Sequence, residues 1–410
     1  MREMKDSGVE WIGEIPKNWK ICRLKDYAHI CNGRDYSEVL AENGDYPVIG
    51  SGGQFAKACE PLYQKESVLL GRKGTIDKPL FVDYPFWTVD TMYYTEIKEN
   101  VSAKYFYYLC TQIEFDFYQY GSAVPSMTQR DLYNVNFPYP TLDEQRRIAN
   151  YLDRKCSQID TIIARQQEVI EKLKAYKLSV ITEAVTKGLN PDVPMKDSGV
   201  EWIGEIPEHW KMVRLKFLLS HIIDCPHETP IYSADGDYLV IRTADQDLGK
   251  LRTDEDMYRL DEGEYQNRIR RMPLEKDDIV YGREGERWGL ACLVPESNKY
   301  CLGQRMLQFR CKRELFLPRF AMWALNSKFV YLQGAVDTIG STSPHVNIST
   351  VRNFLIPVLP ISEQQEIAEY IDKKMSQLDK EIEHRENLIC KLNEYKKSLI
   401  YEVVTGKQEV

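Results

Sequence analysis

The longest uninterrupted hydrophobic pattern in the chain is helical. From residue 145 to 187 there is neither proline nor glycine, and apolar residues fall on a 4-3 repeat: Ala149, Leu152, Cys156, Ile159, Ile163, Ile170, Leu173 and Val180. A second stretch repeats the pattern with Ala368, Ile371, Met375, Leu378, Ile382, Ile389, Leu392 and Leu399. Polar Gln166 and Arg385 hold equivalent positions in the two seams, where such residues fix register at a cost in stability. Thr141 with Glu144, and Ser362 with Gln365, have capping-box spacing, and Gly188 and Gly406 supply helix stops. At 1.5 Å per residue, roughly 45 residues make a rod of about 65 to 70 Å. Each rod has one apolar seam, so the two are expected to pack on each other; packing of each seam on its own globular domain alone is the alternative.

Outside the rods the pattern changes period. Residues 26–140 and 217–356 carry short β-rich runs that end at glycine, such as Tyr46-Pro-Val-Ile-Gly50, Ser67-Val-Leu-Leu-Gly71 and Asp278-Ile-Val-Tyr-Gly282. Short helices are predicted over 102–119 and 317–333. The expected fold class is α+β, with two mixed domains and two long helices.

The chain is duplicated internally. Residues 4–16, MKDSGVEWIGEIP, recur unchanged at 195–207, and 18 of the 22 positions in 4–25 are identical in 195–216. Trp11, Pro16, Trp19 and Leu24 match Trp202, Pro207, Trp210 and Leu215 at an offset of 191. A second block, EQRRIANYLDRKCSQID from Glu144, aligns with EQQEIAEYIDKKMSQLD from Glu363 at an offset of 219. The difference, 219 − 191 = 28, makes the intervening segment 28 residues longer in the second half. Each half therefore reads as box, variable domain, long helix. The expected boundaries are 1–140 (box 4–25), 141–187, a linker at 188–194, 195–356 (box 195–216) and 357–406.

Composition narrows the class. At 410 residues, 43% hydrophobic and 28% charged, the chain is long enough for two cores and has no apolar run near the roughly 18 residues of a membrane span. Its N-terminal residues lack the pattern of a secretory signal, so a cytoplasmic location and no membrane partner are expected. Ten cysteines are scattered without a CxxC pair. Cys225 and His227 come nearest to ligand spacing, without a second pair, and no metal site is expected. A net charge of −8 argues against indiscriminate nucleic-acid coating, but acidic residues crowd the helical segments, whereas basic ones gather at Arg72-Lys73 and from Arg268 to Arg287.

Two loops recur in both variable domains. Gly71-Arg-Lys-Gly74 matches Gly282-Arg-Glu-Gly285, and Gly121-Ser-Ala-Val-Pro125 matches Gly340-Ser-Thr-Ser-Pro344. An arginine between glycines lets backbone approach a polyanion while the guanidinium contacts phosphate or a guanine edge. Candidate DNA-binding residues are thus Arg72, Lys73, Ser122, Ser126, Thr128, Gln129 and Arg130 in the first half. In the second half they are Arg283, Arg287, Arg305, Thr342, Ser343, His345 and Asn347. The bland readings are a surface arginine paired to a carboxylate, and ordinary turn and cap chemistry.

The combination of EWIGEIPxxWxxxRLK, GRKG or GREG, and LDEQRRIAxYLD, duplicated over essentially the whole chain, resembles the specificity subunits of type I restriction-modification systems. That resemblance implies two target recognition domains, each reading half of an asymmetric bipartite site, and an antiparallel coiled coil between them. It also implies double-stranded DNA, two methyltransferase subunits and two restriction-translocase subunits as partners. S-adenosylmethionine, ATP and Mg would belong to those partners, with no cofactor and no catalytic residue in this chain. DNA rises about 3.4 Å per base pair, so a rod of about 65 Å matches roughly 19 base pairs, and unlike readers require unlike half-sites.

Two rivals come from other classes. A single-chain methyltransferase would need a glycine-rich cofactor loop and an Asn/Asp-Pro-Pro-aromatic tetrad, and neither is present. Asp90 with Glu96 and Lys98 faintly suggests a nuclease carboxylate set, but the aligned second copy has Arg310 in place of Glu96. A tandem coiled-coil adaptor for a protein or glycan fits the aromatic run Tyr105–Tyr108, although that run also suits a core helix.

Overall fold

The computed structural model describes residues 2–115, 125–252, 254–285, 287–336 and 344–410. Both predicted rods are single helices, Leu142–Lys187 and Ile361–Val404. The first starts on the expected capping box: Glu144 N–H donates to Thr141 Oγ1 (3.4 Å), and Thr141 N–H to Glu144 Oε2 (3.2 Å). The second does not. Helix begins at Ile361, directly after Pro360, so Ser362 lies inside the first turn and Gln365 donates instead to Glu369 (3.0 Å). The boundary expected at 357 also moves, because Leu355–Val358 is a strand. Gly188 and Gly406 terminate the helices as expected, both at φ +75°.

The chain divides into two compact units, residues 1–167 with 386–410, and residues 168–385. Each unit therefore holds one mixed domain and part of each long helix, an interleaving that the linear order of box, domain and helix does not show.

In unit 1, β1 (Lys20–Arg23), β2 (Ala28–Asn32), β3 (Ser67–Gly71), β4 (Leu80–Val82), β5 (Met92–Ile97) and β6 (Asn136–Tyr139) frame the domain. The main sheet runs β2-β5-β3-β4 and is antiparallel, while β6 pairs with β1 next to the long helix. A three-stranded sheet made of 46–50, 53–58 and 87–88 lies outside it. Helices α1 (Ala103–Cys110) and α2 (Gln129–Asn134) complete the fold. The predicted helix 102–119 is shorter than expected, with turn from Thr111, and its last residues lie outside those described.

Unit 2 repeats the plan with β7 (Lys211–Arg214), β8 (Leu219–Asp224), β9 (Gln246–Asp247), β10 (Lys250–Leu251), β11 (Ile279–Gly282), β12 (Ala291–Leu293), β13 (Met306–Cys311) and β14 (Leu355–Val358). Its sheet runs β8-β13-β11-β12, the same order as in unit 1, and β14 pairs with β7. The β9–β10 hairpin belongs to the longer second domain. The predicted 317–333 helix is two, α3 (Pro318–Leu325) and α4 (Lys328–Ala335), followed by α5 (Ile348–Arg352).

Within each unit the two long helices run antiparallel. In unit 1, Lys396 Nζ donates to both carboxylate oxygens of Asp160 (2.7 Å), and Gln408 reaches Tyr151 (3.0 Å). In unit 2 the same two sequence positions trade roles, Lys177 Nζ donating to Asp379 (2.5 Å). The expected seam is unevenly buried. Leu152, Ile159, Ile170 and Ile371 are buried, whereas Ile163, Leu173, Leu378, Ile382, Ile389 and Leu392 are half-buried. A ribbon of two helices cannot enclose its own seam; full burial occurs mainly where a domain covers it as well, so the helices pack on each other as expected and the alternative of packing on a domain alone does not hold.

The helix-to-domain joints are built alike. Trp19 and Trp210 are buried, and each donates its indole N–H to the glutamate that opens a long helix, Glu144 (3.3 Å) and Glu363 (3.2 Å). Next to these, Gln145 and Gln364 are fully buried and accept the backbone N–H that starts the domain's own helix, Ser102 (2.9 Å) and Leu317 (2.9 Å). Two turns on, Asp153 takes Tyr108 Oη (2.9 Å) and Lys104, while Asp372 takes Trp323 Nε1 (2.9 Å) and Arg319.

Candidate nucleic-acid interface

The two recurrent loops meet in each domain. In unit 1, Gly74 N–H donates to Pro125 O (3.0 Å), Met127 N–H donates to Arg72 O (3.0 Å), and Lys73 forms a bridge with Ser126. In unit 2, Gly285 N–H donates to Pro344 O (2.9 Å), Val346 N–H donates to Arg283 O (3.0 Å), and Glu284 bridges His345. The result is the same antiparallel clip twice, at the end of β3 and of β11. Glycine is required at both ends of the unit 1 clip and at the closing end of the unit 2 clip. A Cβ on Gly71 would stand 2.4 Å from Thr75 O, and Gly74 and Gly285 adopt φ of +83° and +87°.

The charges on the two clips differ. In unit 1, Arg72 is half-buried, donates to Asp90 O (3.3 Å) and lies 5.9 Å from the Tyr93 ring centroid, while Lys73 and Arg130 are exposed. In unit 2 the matching Arg283 is only 7% exposed and is ion-paired with Asp224 (3.4 Å) and Glu284 (3.0 Å). An arginine held between two carboxylates has its charge matched internally, so the expectation that Arg283 presents a free guanidinium is corrected. The exposed cations near this clip are Arg305, at φ +71° with its side chain 51% exposed, and Arg287, which reaches Ala244 O (3.5 Å). Arg305 takes the position of Thr91: its carbonyl accepts Arg283 N–H as that of Thr91 accepts Arg72 N–H.

The remaining candidates separate by local chemistry. Thr128 is the N-cap of α2, accepting Asp131 N–H (3.2 Å), and Gln129 donates to Asn32 (3.2 Å). Asn347 precedes α5 exposed and without a side-chain cap bond; His345 and Ser126 are half-buried in the clips. Ser122, Thr342 and Ser343 lie outside the described residues. Arg268, read as part of a basic stretch, is buried in the helix Glu262–Ile269 and donates to the carbonyls of Leu302 (2.7 Å) and Glu228 (2.8 Å).

One charged group near the unit 2 clip escaped the reading of the sequence. Arg242 lies 3.8 Å from the ring centroid of the exposed Tyr258 and is held in a fork by Asp245 (2.8 and 2.7 Å). Its hydrogen bonds to Asp245 raise the pKa further, although burial opposes this. The three-residue spacing to Asp245 was the only local signal, and it is common in turns. Asp90 and Glu96 do not converge as a metal set would. Asp90 lies in the turn before β5 and Glu96 near its far end, and the extended residues from Met92 to Glu96 alone span about 13 Å.

An internally duplicated α+β frame, with two antiparallel helices crossing both units and one glycine-bounded clip per domain, defines a two-headed class of protein. The chain belongs to the type I restriction modification DNA specificity domain family, whose model matches residues 16–172 and 207–393. The MjaVIII type I restriction enzyme specificity subunit of Methanocaldococcus jannaschii is 23% identical over 97% of this chain and 94% of its own length. The EcoBI specificity subunit of Escherichia coli is 22% identical over 99% and 90%. A solved chain described under complex assembly and conformational transition of the type I R-M system superposes with a TM-score of 0.69 at 15% identity, covering 96% of this chain and 99% of that one, which establishes the shared fold.

Proposed function

We propose that this chain is the sequence-reading subunit of a type I restriction-modification complex. In this reading each domain recognises one half of an asymmetric bipartite DNA site, and the paired helices set the distance between the halves. The observation that carries it is the clip: the same two backbone hydrogen bonds between the loops in both domains, with different charged side chains on it. Backbone of this kind positions a loop against phosphate, and side-chain differences specify bases. Arg72, Lys73 and Arg130 are assigned to the first half-site, and Arg305, Arg287 and Arg242 to the second, with Arg283 holding its clip in shape.

The chain itself is assigned no catalytic step. Two methyltransferase subunits would supply S-adenosylmethionine chemistry on adenine, and two restriction-translocase subunits would supply ATP- and Mg-dependent chemistry. Among the described residues no helix is long and apolar enough to cross a membrane, in keeping with a complex that acts on DNA in the cytoplasm. Methylome sequencing of the host with and without the gene tests this reading. The expected result is loss of one bipartite adenine-methylation motif with two unlike halves; an unchanged methylome refutes it. Binding of the purified chain to random duplex should also fall steeply with salt, which an adaptor for protein or glycan would not show.

A further inference from the structure

Three kinds of arginine surround the unit 2 clip. Arg283 and Arg268 are structural, the first between Asp224 and Glu284 and the second buried on backbone carbonyls. Arg305 and Arg287 are exposed and loosely held, each 3.8 Å from its carboxylate, Glu284 and Asp247. Arg242 differs from both. It follows the strand Tyr238–Ile241, and the next residue, Thr243, packs on the first glycine of the clip, where a Cβ on Gly282 would come within 3.1 Å of it. Arg242 itself lies against Gly303, two residues before Arg305, with its Cγ 3.0 Å from where a Cβ would stand.

The Arg242 guanidinium is clamped along one edge and one face. Its Nε and Nη2 donate to Asp245 (2.8 and 2.7 Å), whose side chain is fully buried and also accepts the Arg242 backbone N–H (2.9 Å). Its face lies 3.8 Å from the centroid of Tyr258, an exposed ring braced by Tyr232 at 4.5 Å, whose hydroxyl also interacts with the guanidinium. Among the described residues no carboxylate or carbonyl bonds Nη1, and the side chain keeps 23% of its exposure. The edge formed by Nη1 and the outer Nη2 hydrogen therefore faces no acceptor of the protein. In unit 1 the aligned residue is Gly50, because Val48 and Ile49 pair in parallel with Trp87 and Thr88 as Val240 and Ile241 pair with Cys301 and Leu302. The fork has no counterpart at that position.

We propose that Arg242 reads a guanine in the second half-site, the two N–H groups of its outer edge donating to O6 and N7. The inference rests on the DNA-reading role proposed above and names the base that one residue selects. A guanine edge is favoured over a phosphate for two reasons. Asp245 already offsets the Arg242 charge, which weakens any gain from neutralising phosphate, whereas the direction of the two donors is retained. Clamping by Asp245 and Tyr258 also removes in advance the side-chain freedom that a mobile arginine would lose on binding. Asp245 and Tyr258 are thus positioning residues, and the loosely held Arg287 and Arg305 take the neighbouring phosphates.

The test is methylome sequencing of hosts that carry the wild-type chain or Arg242→Lys. The wild-type motif is expected to hold an invariant G·C pair in one half-site. Lysine keeps a cation for Asp245 but cannot present a bidentate edge. Methylation should therefore spread to sites with other bases at that one pair, discrimination there falling about tenfold or more. The remaining positions, the other half-site and the spacing should stay as they are. A structural arginine, or one on phosphate, would lower methylation at all sites alike and leave the consensus unchanged; that result overturns the proposal, as does a wild-type motif without such a pair. Should Arg242→Lys melt early, Tyr258→Leu replaces it, removing an exposed ring and leaving the Asp245 fork, with a smaller relaxation of about threefold expected at the same pair. An unchanged consensus in that variant overturns the proposal as well. A wild-type methylome with no bipartite motif at all overturns the DNA-reading role and this inference with it, whereas an intact motif indifferent to Arg242 overturns the inference alone.

Discussion

The helix joints and the clips of this protein have diverged to very different degrees. At the joints, Trp19, Glu144, Gln145 and Asp153 of unit 1 are matched one for one by Trp210, Glu363, Gln364 and Asp372, the one change of donor being Tyr108 Oη for Trp323 Nε1 on the aspartate. At the clips the backbone ladder is retained while Lys73 becomes Glu284, Arg72 loses its exposure in becoming Arg283, and Arg305 stands in for Thr91. Buried polar joints tolerate little change, because an unsatisfied donor costs its full desolvation. A solvent-facing loop held by its own backbone can exchange side chains freely. Precision is therefore spent on holding the readers and variety on reading.

The largest effects should come from breaking a joint. Gln145→Leu leaves Ser102 N–H and Pro140 C=O without their partner inside unit 1, and Gln364→Leu does the same to Leu317 N–H, Leu315 C=O and Leu359 C=O in unit 2. Each should cost about 3 kcal/mol in urea unfolding. Near-equal losses support equivalence of the joints, and a loss in one alone would break it.

The clips should respond differently from each other. Arg72→Ala should weaken binding to one half-site about tenfold or more, at about 1–3 kcal/mol for a specific contact, with the melting temperature unchanged. Arg283→Ala should instead destabilise unit 2 by about 2 kcal/mol, because Asp224 and Glu284 lose their shared cation. Thermal melts alongside gel shifts separate the two, and equal behaviour of the variants would contradict the different charge environments. Inserting one heptad in both helices should lengthen the preferred half-site spacing by about three base pairs, since seven residues add about 10 Å. Methylome sequencing reads that spacing, and an unchanged value would contradict the spacer role.

The smallest effect concerns the two cross-helix aspartates. Burial pushes the Asp379 carboxyl up, but hydrogen bonds from Lys177 and Lys250 bring it below its ordinary value of 3.8. A depressed carboxylate contributes stability that is complete above the ordinary value and disappears as pH falls through the lower folded one. Asp379→Asn should therefore cost unit 2 up to about 1 kcal/mol at neutral pH and nothing in strong acid. Asp160→Asn, which loses only Lys396, should cost unit 1 less.

Much of this was legible in the residues themselves. The rods, the boxes, the α+β class and the recurrence of the two loops follow from period, repetition and glycine placement, all local signals, whereas the meeting of the two loops in one clip does not. What escaped them depends on distant partners. One of the two carboxylates that neutralise Arg283, Asp224, sits on β8, far back in the chain. The amides of Gln145 and Gln364 look like ordinary polar residues on a helix surface until a domain closes over them. The cap expected at Ser362 is not used because the second helix starts at the position aligned with the first, where Pro360 replaces Thr141 and cannot form the box. The half-buried middle of the seam follows from geometry that periodicity does not encode.

The closing of unit 1 sets an order in time. Gly406 packs against Pro16 and Trp19, Tyr401 donates to Ile12 O (3.2 Å), and Arg2 pairs with Glu409 (3.2 Å). Unit 2 is one contiguous segment, 168–385, whereas unit 1 needs residues 386–410. On the ribosome the second reader can therefore finish folding while the first still waits with Trp19 and Tyr105 uncovered. The half that is translated first is completed last.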